Sequence, residues 1–498
     1  MPTPEPSDFD LLFETLKGRQ GVIPVFREVL ADLDTPVSAF MRVCREEDSR
    51  EDYAFLLESV EGGERWARYS FIGLNPAFVI RAQGQRCERV EQGKVVHSET
   101  REDPLCFLEE EMGKITWTGH PELPRFAGSA VGWLGWDAVR WWERLPSRHT
   151  PSGAPPLVWS IPRDLLIFDN LRHCIQVVHL VFTNEHATSQ EAYARASESI
   201  DSMIERLRSP LPQNERSTRS PSKPSSNFEK SDFKDAVCQV KDWILSGDCI
   251  QVVLSQRFTL DFAGAPMDLY RALRAVNPSP YMFYLRYPEQ EVIGASPEVM
   301  VRVADRTAVV APIAGTRHRG TNEEEDAALA EELLADPKER AEHVMLVDLA
   351  RNDLGRVSQE GSVAVEDLMG IQRFSHVMHI VSEVRGKLAD NKSAYDAIRA
   401  AFPAGTLSGA PKIRAMEIID DLEPVGRELY GGAVGWVSFS GETDLAIAIR
   451  SAWKVTDKWQ LQVGAGIVAD SSPESEYEET LNKAAGLLAA LDKASEGL

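Results

Sequence analysis

Residues 336–353 read DPKERAEHVMLVDLARND, and they mark the start of a helix. Asp336 stands at the N-cap, Pro337 at the first helical position, and Glu339 at the third, where its side chain would close a capping box. That gives Glu339 a structural explanation. Glu342, three residues on and so on the same face, has none, and an apolar run (Val344 to Val347) follows it at once. A second helix is expected from about Pro411, and a third after Ser472-Pro473 to about Lys493. Strand-like runs lie between them, so this part of the chain mixes helices with strands.

Moving toward the N-terminus, residues 209–226 (SPLPQNERSTRSPSKPSS) have almost no large apolar side chain and read as a linker or surface loop. They divide the chain into residues 1–208 and 227–498. The first part reads mainly as β. Asp52–Val60, Arg65–Ile72, Ala77–Ala82 and Lys94–His97 are short runs separated by turn residues, as in a meander. The Trp-rich stretch Gly132–Trp142 reads as a strand passing into a helix, its indoles serving as core.

The bulk properties exclude several functions. The chain has 498 residues, 43% hydrophobic and 26% charged, which is a globular composition. No apolar run approaches the roughly 18 residues needed to span a bilayer. The N-terminus lacks the marks of a signal peptide, so a cytoplasmic location is expected. A net charge of −23 argues against a nucleic-acid or anionic-membrane surface. The six cysteines are scattered without a C-x-x-C pair and read as reduced thiols.

Several segments carry chemistry. Glu476, Glu479 and Lys483 fall on one face of the last helix, a spacing that also suits a solvated surface. Together with Glu342, such carboxylates could hold Mg²⁺, which takes one or two protein carboxylates and keeps several waters. Residues 402–412 (FPAGTLSGAPK) form a small-residue loop leading to a helix N-terminus, suited to a carboxylate or hydroxyl. This is no nucleotide loop, since Ala410 stands where a Walker glycine is needed. The stretch GAGIVA (464–469) imitates a dinucleotide fingerprint, but too little chain follows for the required βαβ unit. His376 and His379 have no zinc-binding company. Either could be a core residue or an acid–base group near neutral pH.

These residues resemble a known family. GDCIQVVLSQR (247–257), ASPE (295–298), PIAGTR (312–317), AEHVMLVDLARND (341–353), HVMH (376–379), GTLSGAPK (405–412) and GAGIV (464–468) are similar to the motifs of the chorismate-utilising enzymes, in the family's order. The resemblance covers residues 227–490. It implies an α+β fold, with large β-sheets packed as a sandwich and flanked by helices.

It also implies roles. Glu342 and Glu479 would hold Mg²⁺ against the ring carboxylate of chorismate. Gly315, Thr316, Tyr430, Arg450 and the backbone of Gly464, Ala465 and Gly466 would line the substrate site, and Lys483 would face a carboxylate. Thr406 would lie beside the ring. Glu298 would assist loss of the C4 hydroxyl, and His379 the elimination of pyruvate.

Two positions sort the members of the family. Where aminodeoxychorismate synthases typically carry a nucleophilic Lys, this chain has Ala314. Where isochorismate and salicylate synthases carry a basic Lys, it has Gln251, which leaves ammonia as nucleophile. Both point to the anthranilate-forming branch. The alternatives are an aminodeoxychorismate-type enzyme or an inactive homologue that binds chorismate or tryptophan.

No cysteine sits in a glutaminase elbow, so a separate glutamine amidotransferase subunit is the expected ammonia source. The family commonly assembles as a heterotetramer. Leu56-Leu-Glu-Ser59 resembles a segment that binds feedback tryptophan. Glu58 and Ser59 would then act with Pro280, Tyr281 and Met282 of NPSPYM (277–282).

Overall fold

The computed structural model describes residues 2–44, 53–59, 68–149, 154–212, 221–374 and 377–497. Their strands join in one hydrogen-bonded network. Every pairing is antiparallel except that of Gln20–Leu30 with Ile115–Trp117.

Two long strands organise it, Tyr69–Gln83 and Leu157–Asp169, which pair along most of their length. Each outruns its other neighbour, so the sheet divides there. Beside Tyr69–Gln83 lies Ala54–Glu58, from which pairing continues through Tyr281–Arg286, Glu291–Ser296, Ser451–Val455 and Lys458–Ile467 to Gln251–Leu260. Beside Leu157–Asp169 lies Ser129–Leu134. From it pairing continues through Ala433–Ser438, Thr443–Ile447, Val299–Ala304 and Thr307–Val310 to Val377–Lys387.

The period of two along each strand then builds two cores. Phe283 and Leu285 enter a core shared by both branches, with Trp133, Val301, Leu445 and Trp453. Met282 and Tyr284 enter a second core, covered by Pro266–Val276 and Pro473–Glu496. The expected α+β sandwich with flanking helices is what forms. Among the described residues no helix is long and apolar enough to cross a membrane.

Several local expectations change. From Tyr69 onward Arg65–Ile72 joins Ala77–Ala82 in the single strand Tyr69–Gln83. Pro76, which has no N–H to donate, sits at a register shift next to Asn75 at φ 51°. Arg86–Glu91 is a strand the sequence reading omits, paired with Lys94–Thr100. Of the linker, residues 213–220 lie outside the described residues, and Ser225–Ser226 already pairs with Phe258 and Thr259. The two parts it separates share one sheet, through Glu58 opposite Met282 and Leu134 opposite Ala433.

The helix Pro337–Gly355 starts as expected, with the Asp336 side chain accepting from the N–H groups of Lys338 and Glu339. The capping box does not close. Asp336 is also the C-cap of the helix Glu323–Ala335, and its N–H is committed to the Glu332 carbonyl at 3.0 Å. Glu339 turns instead to Arg317, at 3.3 Å.

Candidate active site

A cavity of about 750 Å³ opens where strand ends, the turn at Thr406 and the helices Pro337–Gly355 and Pro473–Glu496 converge. Every residue named above for catalysis, substrate or metal borders it, except Ala465. Strand alternation puts Ala465 into the shared core and leaves Gly464 and Gly466 on the cavity wall.

Glu298 lies in the two-residue link between the strands Glu291–Ser296 and Val299–Ala304, and its side chain is buried. Burial pushes its carboxyl up to about 8, against the opposing effects of the Thr406 hydroxyl and the Lys483 charge. Thr406, on the one-turn 3-10 helix Gly405–Leu407, donates to Glu298 Oε1 at 2.7 Å. At neutral pH Glu298 is therefore a protonated acid held by a hydroxyl donor.

The carboxylates gather on another part of the wall. Glu342 accepts from Gln251 Nε2 at 3.1 Å. Its carboxyl is raised by burial first and then by the charges of Glu339 and Glu479. Glu479 pairs with Lys483 at 2.7 Å, and Glu476, whose carboxyl burial also raises, lies on the same helix. Among the described residues no three His, Cys, Asp or Glu side chains converge tightly enough to hold a metal alone. Mutually repelling hard oxygens on two helices nevertheless fit Mg²⁺, an ion that completes its shell with water and substrate oxygens.

His379 lies on the strand Val377–Lys387. Its Nδ1 donates to the Gly315 carbonyl at 2.8 Å, with Thr316 Oγ1 3.1 Å away. Burial, then the charges of Arg450 and Lys483, hold it below the usual imidazole range. It is a neutral ring with Nε2 left as acceptor. His376 lies outside the described residues.

Lys483 Nζ also donates to the Gly464 carbonyl at 2.8 Å, and Arg450 Nη1 to the Lys483 carbonyl at 2.9 Å. The glycines have steric reasons. A Cβ on Gly464 would stand 2.8 Å from the Tyr430 hydroxyl and 3.0 Å from the Leu254 carbonyl. On Gly466 it would meet Gln251 Nε2 at 2.6 Å. The other polar atom of that amide, Gln251 Oε1, is buried and accepts from no group among the described residues. Ala314 is buried on the wall with no reactive atom.

Away from this centre, Glu58 and Met282 face each other across the ladder between Ala54–Glu58 and Tyr281–Arg286, with Ser59 just beyond. The Glu58 carboxylate accepts from Tyr270 at 2.6 Å and Arg274 at 3.1 Å. Tyr281 donates to Asp444 at 2.9 Å and Met282 is core. Pro280 joins them to Asn277–Ser279, which reaches the cavity wall.

Sequence reasoning missed Glu339 as a cavity residue because a capping box accounts for it, whereas Glu476, named there with Glu479 and Lys483, does border the cavity. It also missed the buried ion pair of Arg427 with Glu423 at 2.6 Å, behind the cavity wall, since a spacing of four normally signals an exposed pair.

Comparison with known proteins identifies the family. The family model described as chorismate binding enzyme matches residues 52–489, reaching well into the N-terminal part. The chain is 46% identical to anthranilate synthase component 1 of Pseudomonas putida, over 95% of this chain and 96% of that one. It is 45% identical to the protein of the same name from Aquifex aeolicus (strain VF5), over 97% of each. The crystal structure of anthranilate synthase component I from Streptococcus pneumoniae TIGR4 superposes with a TM-score of 0.75 at 36% identity, covering 92% of this chain and 99% of that one. The menaquinone-specific isochorismate synthase from Escherichia coli, at 20% identity and a TM-score of 0.70 over 97% and 99% of the two chains, shares the fold. The chain belongs to the chorismate binding enzyme family.

Proposed function

We propose that this chain is the chorismate-using large subunit of an anthranilate synthase, a cytoplasmic lyase that converts chorismate and ammonia to anthranilate and pyruvate, the first committed step toward tryptophan. The observation that carries the reading is Glu298, a carboxyl kept protonated at neutral pH on the wall of the cavity. The C4 hydroxyl of chorismate is a poor leaving group and needs a proton as it departs. Glu298 gives that proton, and Thr406 stays bonded to the carboxylate left behind.

Lys483 and Arg450 supply positive charge for the substrate's carboxylates, and Gly315, Thr316, Tyr430, Gly464 and Gly466 shape the surface around the ring. Gln251 is no base and Ala314 no nucleophile, which favours ammonia adding at C2. The free Gln251 Oε1 is an acceptor suited to an ammonia N–H. His379 assists loss of pyruvate through Nε2, in the tautomer set by the Gly315 carbonyl.

Glu342 and Glu479, with Glu339 and Glu476 alongside, would hold Mg²⁺. When bound, the ion compensates the negative charge of the ring carboxylate. The ammonia would come from glutamine through a separate amidotransferase subunit, in keeping with relatives named as one component of a synthase. Tryptophan is the proposed effector at Glu58, Ser59 and Pro280–Met282. Supporting this is the continuity of that segment with the cavity wall.

The test is fluorescence detection of anthranilate from chorismate, Mg²⁺ and ammonium, with no partner subunit present. Anthranilate is the expected product. Chorismate consumed to a different product would move the chain to another branch of the family, and chorismate left intact would make it a binding protein.

A further inference from the structure

Arg427 is almost wholly enclosed, yet its guanidinium is in use in every direction. Nε and Nη2 donate to the two oxygens of Glu423 at 2.9 and 2.6 Å. Nη1 donates to the Leu407 carbonyl at 2.6 Å, and Nη2 also to the Val253 carbonyl at 2.7 Å. The group lies 4.3 Å from the centre of the Trp136 ring and 5.4 Å from that of Tyr430. Glu423 in turn accepts from the N–H and hydroxyl of Ser255, at 2.8 and 2.7 Å.

Stability alone is a poor reason for this arrangement, because buried ion pairs can often be replaced by apolar groups without loss. Its contacts suggest a better one. Val253, Leu407 and Tyr430 all border the cavity, so one buried cation grips its floor at three points. Leu407 adjoins Thr406, whose hydroxyl is on Glu298. We infer that Arg427 is a positioning residue for the acid: by holding the Leu407 carbonyl it keeps the Thr406 hydroxyl on the Glu298 carboxyl.

The inference rests on Glu298 being the proton donor, and it has a kinetic signature. The Thr406 bond favours ionised Glu298, as does Lys483 of the last helix, the charged group that faces it. Releasing Thr406 moves the titration of Glu298 to higher pH and withdraws a donor from the carboxylate formed in the reaction. The basic limb of the rate profile should then rise while kcat falls.

The experiment measures kcat, KM for chorismate and the pH profile at fixed free ammonia, for Arg427→Lys, Thr406→Val and the double variant. Lysine can still pair with Glu423, but it lacks the planar fork that serves two carbonyls and a carboxylate together. Each single variant is expected to lose about tenfold in kcat and to raise the basic limb by about one pH unit, the scale of one hydrogen bond to a charged group. KM should stay near its wild-type value, and the double variant should show no further shift of the limb.

A lowered melting temperature in Arg427→Lys with the limb unmoved overturns the inference, and so do additive shifts in the double variant. If Arg427→Lys does not fold, Trp136→Phe must raise the limb, because it loosens the stacked guanidinium and keeps its ion pair; an unmoved limb there also overturns it. An unmoved limb in Thr406→Val counts against Glu298 as the acid. A limb that moves in Thr406→Val alone removes only the role of Arg427.

Discussion

Glu298 carries opposite consequences for stability and for chemistry. Its folded carboxyl titrates at about 8, well above the ordinary carboxylate range. Between those two pH values the unfolded chain has lost a proton that the folded chain retains, so stability falls as pH rises through that window. Glu298→Gln removes this dependence. The variant should melt higher than wild type, with a larger gap near pH 8 than near pH 5, while kcat falls by ~10²-fold or more. Equal melting temperatures across that range would show that the carboxyl is not burdened in this way. Glu342→Gln and Glu479→Gln should each lower activity by roughly 10–100-fold, the usual scale for a damaged metal site. Unchanged turnover at saturating Mg²⁺ would remove them from the metal shell.

At the scale of the element, what was legible was what is local. The helix from Pro337, the helix after Ser472 and the small-residue turn before Pro411 announce themselves through caps, prolines and glycines, and they carry most of the site. Glu339 was misread because a residue can satisfy a local pattern and still be claimed by a distant partner, here Arg317. Arg427 and Glu423 were illegible for a different reason: burial of a charged pair depends on the elements that cover it. The strand Lys458–Ile467 shows how tightly an element can be specified. Gly464→Ala places a methyl group between the Tyr430 hydroxyl and the Leu254 carbonyl, and the backbone oxygen cannot move aside. Shifting the Tyr430 hydroxyl at the cavity wall should lower kcat/KM, by at most the roughly 10²-fold that a misplacement of about 1 Å costs, with the fold retained. Wild-type kinetics in this variant would mean that Tyr430 does not help fix the substrate.

For the whole molecule, composition and motif order pointed to the class of fold, but not to its unity. The Ser/Pro-rich stretch suggests a seam, yet the strands on either side of it pair with one another. Such pairing is set by the finished sheet, and no local signal announces it. Residues 221–498 expressed alone would expose the edges of Tyr281–Arg286 and Ala433–Ser438 as unpaired backbone. They should aggregate or unfold without a cooperative transition, and a soluble fragment with a sharp melt would contradict this.

Asp336 ends one helix with its N–H and begins the next with its carboxylate, while also pairing with Arg317. There is no connecting loop to lengthen. A single inserted residue would uncouple the two helices and rotate Glu342 away from Gln251. Length variation between lineages should therefore be absent at this corner and accumulate at turns such as Gly84 or Gly93, where the glycine has positive φ and an added Cβ would meet nothing within 4 Å.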